Sequence, residues 1–81
     1  MSVIQRTINE KGDGSFFIME GDEKIGEMVI SVKGSKLTVH HTEVSEKAQG
    51  RGLAKELLNE MVEYARQHDL KVNPLCPYVH A

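Results

Sequence analysis

The sequence predicts an α+β fold: a four-stranded antiparallel meander, one crossover helix, and a fifth strand parallel to the fourth. Two observations lead to this prediction. Short apolar runs separated by turn residues fill the first half of the chain, which is the pattern of strands joined by hairpins. Beyond residue 52 the apolar residues recur at intervals of three and four, which is typical of an amphipathic helix. With 81 residues, we expect a single domain over 1–81.

Turns that contain glycine delimit the strands of the meander. The first strand is expected over Val3–Asn9 and the second over Ser15–Glu20. Between them, Gly12-Asp13-Gly14 supplies the positive-φ positions that a hairpin needs. The third strand is expected over Ile25–Lys33 and the fourth over Lys36–Val44.

The most strongly patterned element is a helix expected over Leu53–His68. Its apolar stripe consists of Leu53, Ala54, Leu57, Leu58, Met61, Val62 and Ala65. A fifth strand over Leu70–Cys76 follows, and a strand reached through a helix should pair in parallel by a right-handed crossover. Pro77 can open a second helix at its first turn, of which the chain holds only a short or truncated piece.

Composition limits which partners and which cellular compartment we expect. The formal net charge is −2 and the pI is about 6.0, so we expect no basic surface that could bind nucleic acid. Binding of a compact anionic ligand is compatible with this charge. The single cysteine, Cys76, cannot form an internal disulfide, which favours a reducing cytoplasm. Neither a signal peptide nor an apolar run long enough to span a bilayer is present, so we expect a cytoplasmic protein without a membrane partner.

The segment Gln49-Gly50-Arg51-Gly52-Leu53-Ala54 carries the chemistry. A turn that runs straight into a helix leaves backbone N–H groups unpaired beside the positive end of the helix dipole, and such a terminus attracts phosphate. Gly50 and Gly52 would let a phosphate approach the backbone, and Arg51 adds a positive charge. In the alternative interpretation, the glycines only form a tight turn and admit close packing of helix and strand.

This segment resembles the Gln/Arg-x-x-Gly-x-Gly/Ala signature of the GNAT superfamily of N-acetyltransferases, with every specified position matched. It follows a strand ending in His41-Thr42-Glu43-Val44. After the helix, the run from Val72 to Tyr78 resembles the next strand of that fold and its exit. With its length, the chain is similar to the very short GNAT-like proteins of the YjdJ type, and the resemblance covers residues 37–78.

The resemblance implies acetyl-CoA as cosubstrate and no metal. Acetyl-CoA would bind where the fourth and fifth strands splay apart. The pyrophosphate would lie on the N–H groups from Gln49 to Ala54, and the pantetheine arm would pair with the strand near Val44. The chain departs from larger members in two ways. It has no helices between the first two strands, where part of their acceptor surface lies. It also stops at Ala81, before the final helix is complete.

Three residues are candidates for acetyl transfer to an amine. A lysine-like amine with a pKa near 10.4 is about 4.6 kcal/mol from its neutral form at pH 7, so a base is needed. Glu43 can accept that proton, or it is a solvated strand end. Cys76 can accept the acetyl group, or it is a small core residue. Tyr78 can protonate the departing thiolate, as a tyrosine after the fifth strand often does in this superfamily, or it packs as a half-buried ring.

Two adjacent histidines complete the candidate residues. The strand period places Leu37, Val39 and His41 on one face, opposite Thr38, His40 and Thr42. Because His40 and His41 then point to opposite faces, one of them should face the core or cleft, and a shared metal site is not expected. His41 with Thr42 is interpreted as a hydrogen-bonded pair that shapes the cleft.

The sequence thus predicts an N-acetyltransferase acting on a small-molecule or protein amine. One alternative is a non-catalytic acetyl-CoA sensor or carrier, and another is a scaffold that binds no cofactor. The acceptor is not determined by the sequence. We expect a monomer or a weak homodimer, because the fifth strand can leave an edge exposed.

Overall fold

The computed structural model describes residues 3–74, which form a five-stranded mixed sheet with one helix on one face. The elements are β1 (Val3–Ile8), β2 (Asp13–Glu20), β3 (Glu23–Lys33), β4 (Lys36–Val44), a short 3₁₀ helix (Glu46–Ala48), α1 (Leu53–Gln67) and β5 (Lys71–Pro74). The strands lie in chain order across the sheet, with β1 to β4 antiparallel and β5 parallel to β4. The predicted fold class is confirmed.

The boundaries differ from the predicted ones mainly at the start of two strands. β2 begins at Asp13 instead of Ser15, and β3 begins at Glu23 instead of Ile25. The extra residues pair across the hairpins, Asp13 with Ser31 and Glu23 with Glu20, so they are part of the ladder although they are polar. The predicted end of the fifth strand at Cys76, its splaying away from β4 and a helix at Pro77 all lie outside the described residues.

One side of α1 packs on the sheet and forms the core. Its buried residues are Leu53, Leu57, Met61 and Ala65, each at most 3% exposed. They lie against fully buried side chains of the sheet, among them Phe16, Ile18, Met28, Ile30, Leu37 and Val39. The apolar stripe is narrower than predicted, since Leu58 is only half-buried and Val62 is exposed. Only the middle of the apolar stripe of α1 contacts the sheet, so residues at the margins of the stripe remain accessible.

A β-bulge interrupts β4 beside the centre of the sheet. Val29 lies opposite His41 and Ile30 lies opposite Val39, which leaves His40 as the extra residue. An extra residue shifts the inside-outside alternation by one. Thr42 therefore joins Leu37 and Val39 on the buried face, and both histidines are exposed. The predicted placement of His41 on the same face as Leu37 and Val39 is wrong for this reason.

Within residues 3–74, no helix combines the length and the apolar content that crossing a bilayer requires.

Candidate functional site

The loop between β4 and α1 is held at both ends by buried side chains. Ser45 N–H donates to Ile25 O at 2.8 Å, which continues the contact with β3 past the end of β4. Ala48, in the short 3₁₀ helix, is 1% exposed, and Leu53, the first residue of α1, is 3% exposed. The exposed residues between these two anchors, 49–52, therefore have a defined position.

Gly50 and Gly52 adopt left-handed backbone conformations, with φ of +85° and +75°. Residues with a Cβ rarely adopt these angles, so the turn itself favours glycine at both positions. A Cβ at either position would meet no protein atom within 4 Å. Close packing of helix and strand is therefore not the reason for these glycines. The tight turn remains one reason, and the open space above both residues is compatible with a ligand that approaches the backbone.

The start of α1 presents a run of backbone donors that have no partner among the described residues. The first hydrogen bond into the helix is from Glu56 N–H to Gly52 O, at 3.1 Å, and Gly52 has no side chain to cap the terminus. Within residues 3–74, the N–H groups from Gly50 to Lys55 donate to no other group. Gln49 N–H makes only a long contact of 3.4 Å to Glu46 O. The free donors thus run from Gly50 to Lys55, shifted by one residue from the predicted segment.

A cavity of about 310 Å³ lies at this terminus. Its lining combines the end of β4 with the loop and the first turn of the helix: Val44, Ala48, Gln49, Gly50, Gly52, Leu53 and Ala54. The structure therefore brings six of the seven predicted cofactor-binding residues to one cavity. The seventh, Arg51, does not line it.

Arg51 is instead paired with an acidic residue of the neighbouring hairpin. Its Nη2 lies 2.9 Å from Glu20 Oε2 at the end of β2. The hydrogen bond and positive charge of Arg51 hold the pKa of Glu20 below its ordinary value. A second pair joins Lys47, before the loop, to Glu23 at the start of β3. All four side chains are exposed, so each pair adds little to stability.

The shifted pKa of Glu20 gives a pH-dependent prediction. Arg51→Gln should raise the pKa of Glu20 towards its ordinary value, because the guanidinium that stabilises the carboxylate is lost. In the native protein, the small contribution of the pair is present at neutral pH and disappears as the pH falls through the lowered pKa of Glu20. The check is an NMR titration of the side-chain carboxyl carbons. Arg66→Gln, at the far end of α1, is the control and should leave Glu20 unchanged; equal Glu20 titrations in native protein and Arg51→Gln would contradict the prediction.

Glu43 lies on β4 directly opposite Glu27 of β3 and is exposed. Its Oε2 is 3.1 Å from His41 Nε2. It lines a second cavity of about 360 Å³, formed by Lys24, Ile25, Gly26, Glu27, Glu43, Ser45 and Glu46. Glu43 and Val44 are neighbours in a strand and contribute to different cavities. The predicted catalytic residues Cys76 and Tyr78 lie outside the described residues.

The histidines take roles that the sequence did not indicate. His40 Nε2 lies 2.8 Å from Ser31 Oγ, a pair that exists because the bulge turns His40 towards β3. The predicted hydrogen bond between His41 and Thr42 is wrong, since His41 contacts Glu43 and the buried Thr42 Oγ1 has no partner among the described residues. Within residues 3–74, no group of three or more His, Cys, Asp and Glu side chains is arranged to hold a metal ion.

Comparison with known proteins assigns the chain to a family. Residues 15–81 match the family model described as GCN5-related N-acetyl-transferase. The chain belongs to the GCN5-related N-acetyltransferase family. This family is the GNAT superfamily that the Gln49–Ala54 motif resembles, so that prediction is confirmed at the level of the superfamily. No curated protein sequence matches the chain.

Solved acetyltransferase structures share the fold. Ribosomal-protein-alanine N-acetyltransferase from Brucella melitensis biovar Abortus 2308 aligns with a TM-score of 0.75 and 16% identity over 84% of this chain and 53% of that one. IAA acetyltransferase from Bacillus cereus ATCC 14579 aligns with a TM-score of 0.74 and 20% identity over 91% and 65%. Aminoglycoside acetyltransferase meta-AAC0020, from an uncultured soil metagenomic sample, aligns with a TM-score of 0.72 and 14% identity over 84% and 48%. The GNAT chain described here thus spans between 48% and 65% of the length of these structures.

Proposed function

We propose that this GNAT chain binds acetyl-CoA along the end of β4 and the start of α1 and transfers the acetyl group to an amine. The observation that carries the proposal is the run of free N–H donors from Gly50 to Lys55 beside the cavity that Val44 helps to line. These donors, the helix dipole and the open space above two glycines suit a diphosphate. Members of the family use acetyl-CoA as the acetyl donor, which supports the same assignment.

The arrangement along β4 supports a place for the pantetheine arm. The described pairing of β4 with β5 runs from Lys36 with Lys71 to Val39 with Pro74. Within residues 3–74, the stretch of β4 from His40 to Val44 has a strand partner only on its β3 side. In the proposed complex, the part of its other edge that leads towards Val44 and the loop offers its backbone groups to an extended ligand. Acetyl-CoA bound in this way supplies an activated thioester carbon for attack by the amine.

Glu43 is the proposed base for that attack. Its exposed carboxylate, one residue before Val44, can take the proton that the ammonium form of an amine must lose. The neutral amine nitrogen forms a bond to the acetyl carbon, the carbon–sulfur bond breaks, the nitrogen loses its extra proton to give the amide, and the CoA thiolate takes up a proton. Tyr78 as the donor of that proton, and Cys76 as an acetyl acceptor, remain proposals from the sequence, with packing of both side chains as the alternative.

A titration with acetyl-CoA followed by backbone amide shifts tests binding. We expect the largest shifts at Val44 and from Gln49 to Ala54. If millimolar acetyl-CoA leaves these amides unmoved, the proposed site is wrong.

Thiol release from acetyl-CoA across a panel of amines tests transfer. Glu43→Gln should lower kcat by about 100-fold or more, since general-base catalysis typically contributes that much, and should leave the affinity for acetyl-CoA unchanged. Glu27→Gln, which makes the same charge change directly opposite in the sheet, is the matched control. Equal effects of the two substitutions would exclude Glu43 as the base.

A second candidate function is non-catalytic binding of acetyl-CoA, as a sensor or carrier. One observation favours it: β1 and β2 are joined by a tight turn, in which Gly12 N–H donates to Asn9 O at 3.0 Å. The helices to which larger members owe part of their acceptor surface are therefore missing at this position. Binding without thiol release above background hydrolysis would support this candidate.

We further propose a YjdJ-type subfamily member that acts in the cytoplasm as a single domain, on a small-molecule or protein amine. The monomer or weak homodimer stays a prediction from the edge of the fifth strand. That nucleic acid and membranes are not partners stays a prediction from the net charge and from the lack of a long apolar run.

A further inference from the structure

The hairpin of β2 and β3 contacts the proposed diphosphate loop through two ion pairs. Glu20 and Glu23 flank the turn of this hairpin, and they reach Arg51 and Lys47 respectively. The partners are 31 and 24 residues apart in sequence, so only the folded sheet brings them together. Both cations that accompany the loop are thus neutralised by the protein itself.

The pair between Glu20 and Arg51 bears directly on the proposed site. Arg51 stands between the two left-handed glycines, and its neighbours Gly50 and Gly52 line the cavity. Its side chain does not line that cavity, and its guanidinium donates through Nη2 to Glu20 Oε2 at 2.9 Å. Carboxylate and phosphate oxygens bind the planar guanidinium fork in the same geometry, so they compete for the same N–H groups.

We propose that Glu20 sets the affinity for the cofactor diphosphate by competing with it for Arg51. This inference rests on the proposed function. In the free protein Arg51 is paired with Glu20, and on binding the diphosphate takes over the guanidinium while Glu20 turns to solvent. Glu20 is exposed, so its release leaves no buried charge. The loop keeps its position during the exchange, because Ala48 and Leu53 remain in the core and Lys47 remains paired with Glu23.

The sign of the effect follows from this exchange. Removing the charge of Glu20 frees Arg51 and also removes a negative charge near the diphosphate, so both changes strengthen binding. Exposed ion pairs are weak, so the change in affinity should be at most about fivefold. Glu20→Gln should therefore bind acetyl-CoA about three- to fivefold more tightly at low ionic strength, and the gain should shrink as salt is added.

Asp22→Asn is the matched control. Asp22 lies in the same turn and loses the same charge, and within the described chain it makes no ion pair to the loop. Its effect on the affinity for acetyl-CoA should stay below about twofold, the small change expected from a screened charge without a direct contact. A gain equal to that of Glu20→Gln would mean that general charge, rather than the release of Arg51, is responsible, and would overturn the inference.

Calorimetric titration with three ligands completes the test. Acetyl-CoA and inorganic pyrophosphate should both bind Glu20→Gln more tightly than native protein, whereas S-acetylpantetheine, which has no phosphate, should bind both equally. In an Arg51→Gln background, the gain from Glu20→Gln should fall below about twofold, the size expected when only a screened charge is removed. A gain of about three- to fivefold that persists without Arg51, or one seen with S-acetylpantetheine, overturns the inference.

The failure of this inference is distinguishable from failure of the proposed function. If native protein binds acetyl-CoA and Glu20→Gln shows unchanged or weaker affinity, only the role of Glu20 is wrong. If native protein binds neither acetyl-CoA nor pyrophosphate, the proposed function is overturned and the inference with it.

Discussion

Replacing Gly52 with aspartate is expected to weaken acetyl-CoA binding by at least about 100-fold while the domain stays folded. Aspartate tolerates the left-handed conformation that Gly52 adopts at φ +75° better than most residues. Its side chain would extend into the open space above the loop. There the carboxylate accepts hydrogen bonds from the free N–H groups of the first turn, as an N-cap does, and so occupies the donors that the diphosphate needs.

Charge repulsion adds to this competition. Two like charges about 4 Å apart near a protein surface repel by about 4 kcal/mol, which is more than the 2.7 kcal/mol that corresponds to 100-fold in affinity. The affinity is measured by calorimetric titration, and retention of the fold by the dispersion of the amide spectrum. The outcome that contradicts the prediction is native affinity in Gly52→Asp.

Gly34→Asp provides the matched control. Gly34 lies in the turn between β3 and β4, has φ of +61° and, like Gly52, has no atom within 4 Å of an added Cβ. The substitution therefore introduces the same side chain, charge and backbone strain at a turn outside the proposed site. We expect native affinity for acetyl-CoA. A comparable loss in both variants would mean that the effect reflects folding and not the diphosphate site.

Leu57→Ala is expected to lower the free energy of unfolding by about 2–5 kcal/mol. Leu57 is fully buried and lies in the centre of the α1 stripe, where its Cδ1 would be 3.5 Å from a Cβ added at Gly26. A domain of 81 residues has a total stability of roughly 4–12 kcal/mol. A single cavity under the face of α1 that packs on the sheet therefore removes a large share of it.

Urea denaturation monitored by circular dichroism measures this loss. Val62→Ala shortens an apolar side chain on the same helix, but Val62 is 38% exposed, so we expect a change below about 1 kcal/mol. If the two substitutions cost the same, α1 does not pack on the sheet through the face that contains Leu57.

Features that depend on local sequence were predictable. The extent of β4 from Lys36 to Val44 and the start of α1 at Leu53 match the predictions, because glycine-containing turns and a change of apolar period mark these boundaries. The left-handed conformations of Gly50 and Gly52 follow from the same local logic. The segment that contains them could therefore be predicted as an anion site, and its family resemblance found, from a few consecutive residues.

Strand register was not predictable from the sequence. The roles of several side chains depend on that register, so they were not predictable either. Apolar alternation predicts which strands form, but an extra residue such as His40 changes no composition or turn signal. The bulge is a feature of the pairing of β3 with β4. It places Thr42 on the buried face, and His40, the extra residue, contacts Ser31. The predicted roles of His41 and Thr42 failed at this point.

The sequence by itself determined the order of strands and helix along the chain, the family and the position of the glycine loop. Each of these is specified by the pattern of residues that are near neighbours in the chain. Only the tertiary structure decided that Arg51 is paired with Glu20 and that Val44 shares a cavity with the loop. Arg51 and Glu20 are 31 residues apart, and no local preference specifies which of several exposed acids an arginine will meet. That choice is made when the sheet places the β2–β3 turn beside the start of α1.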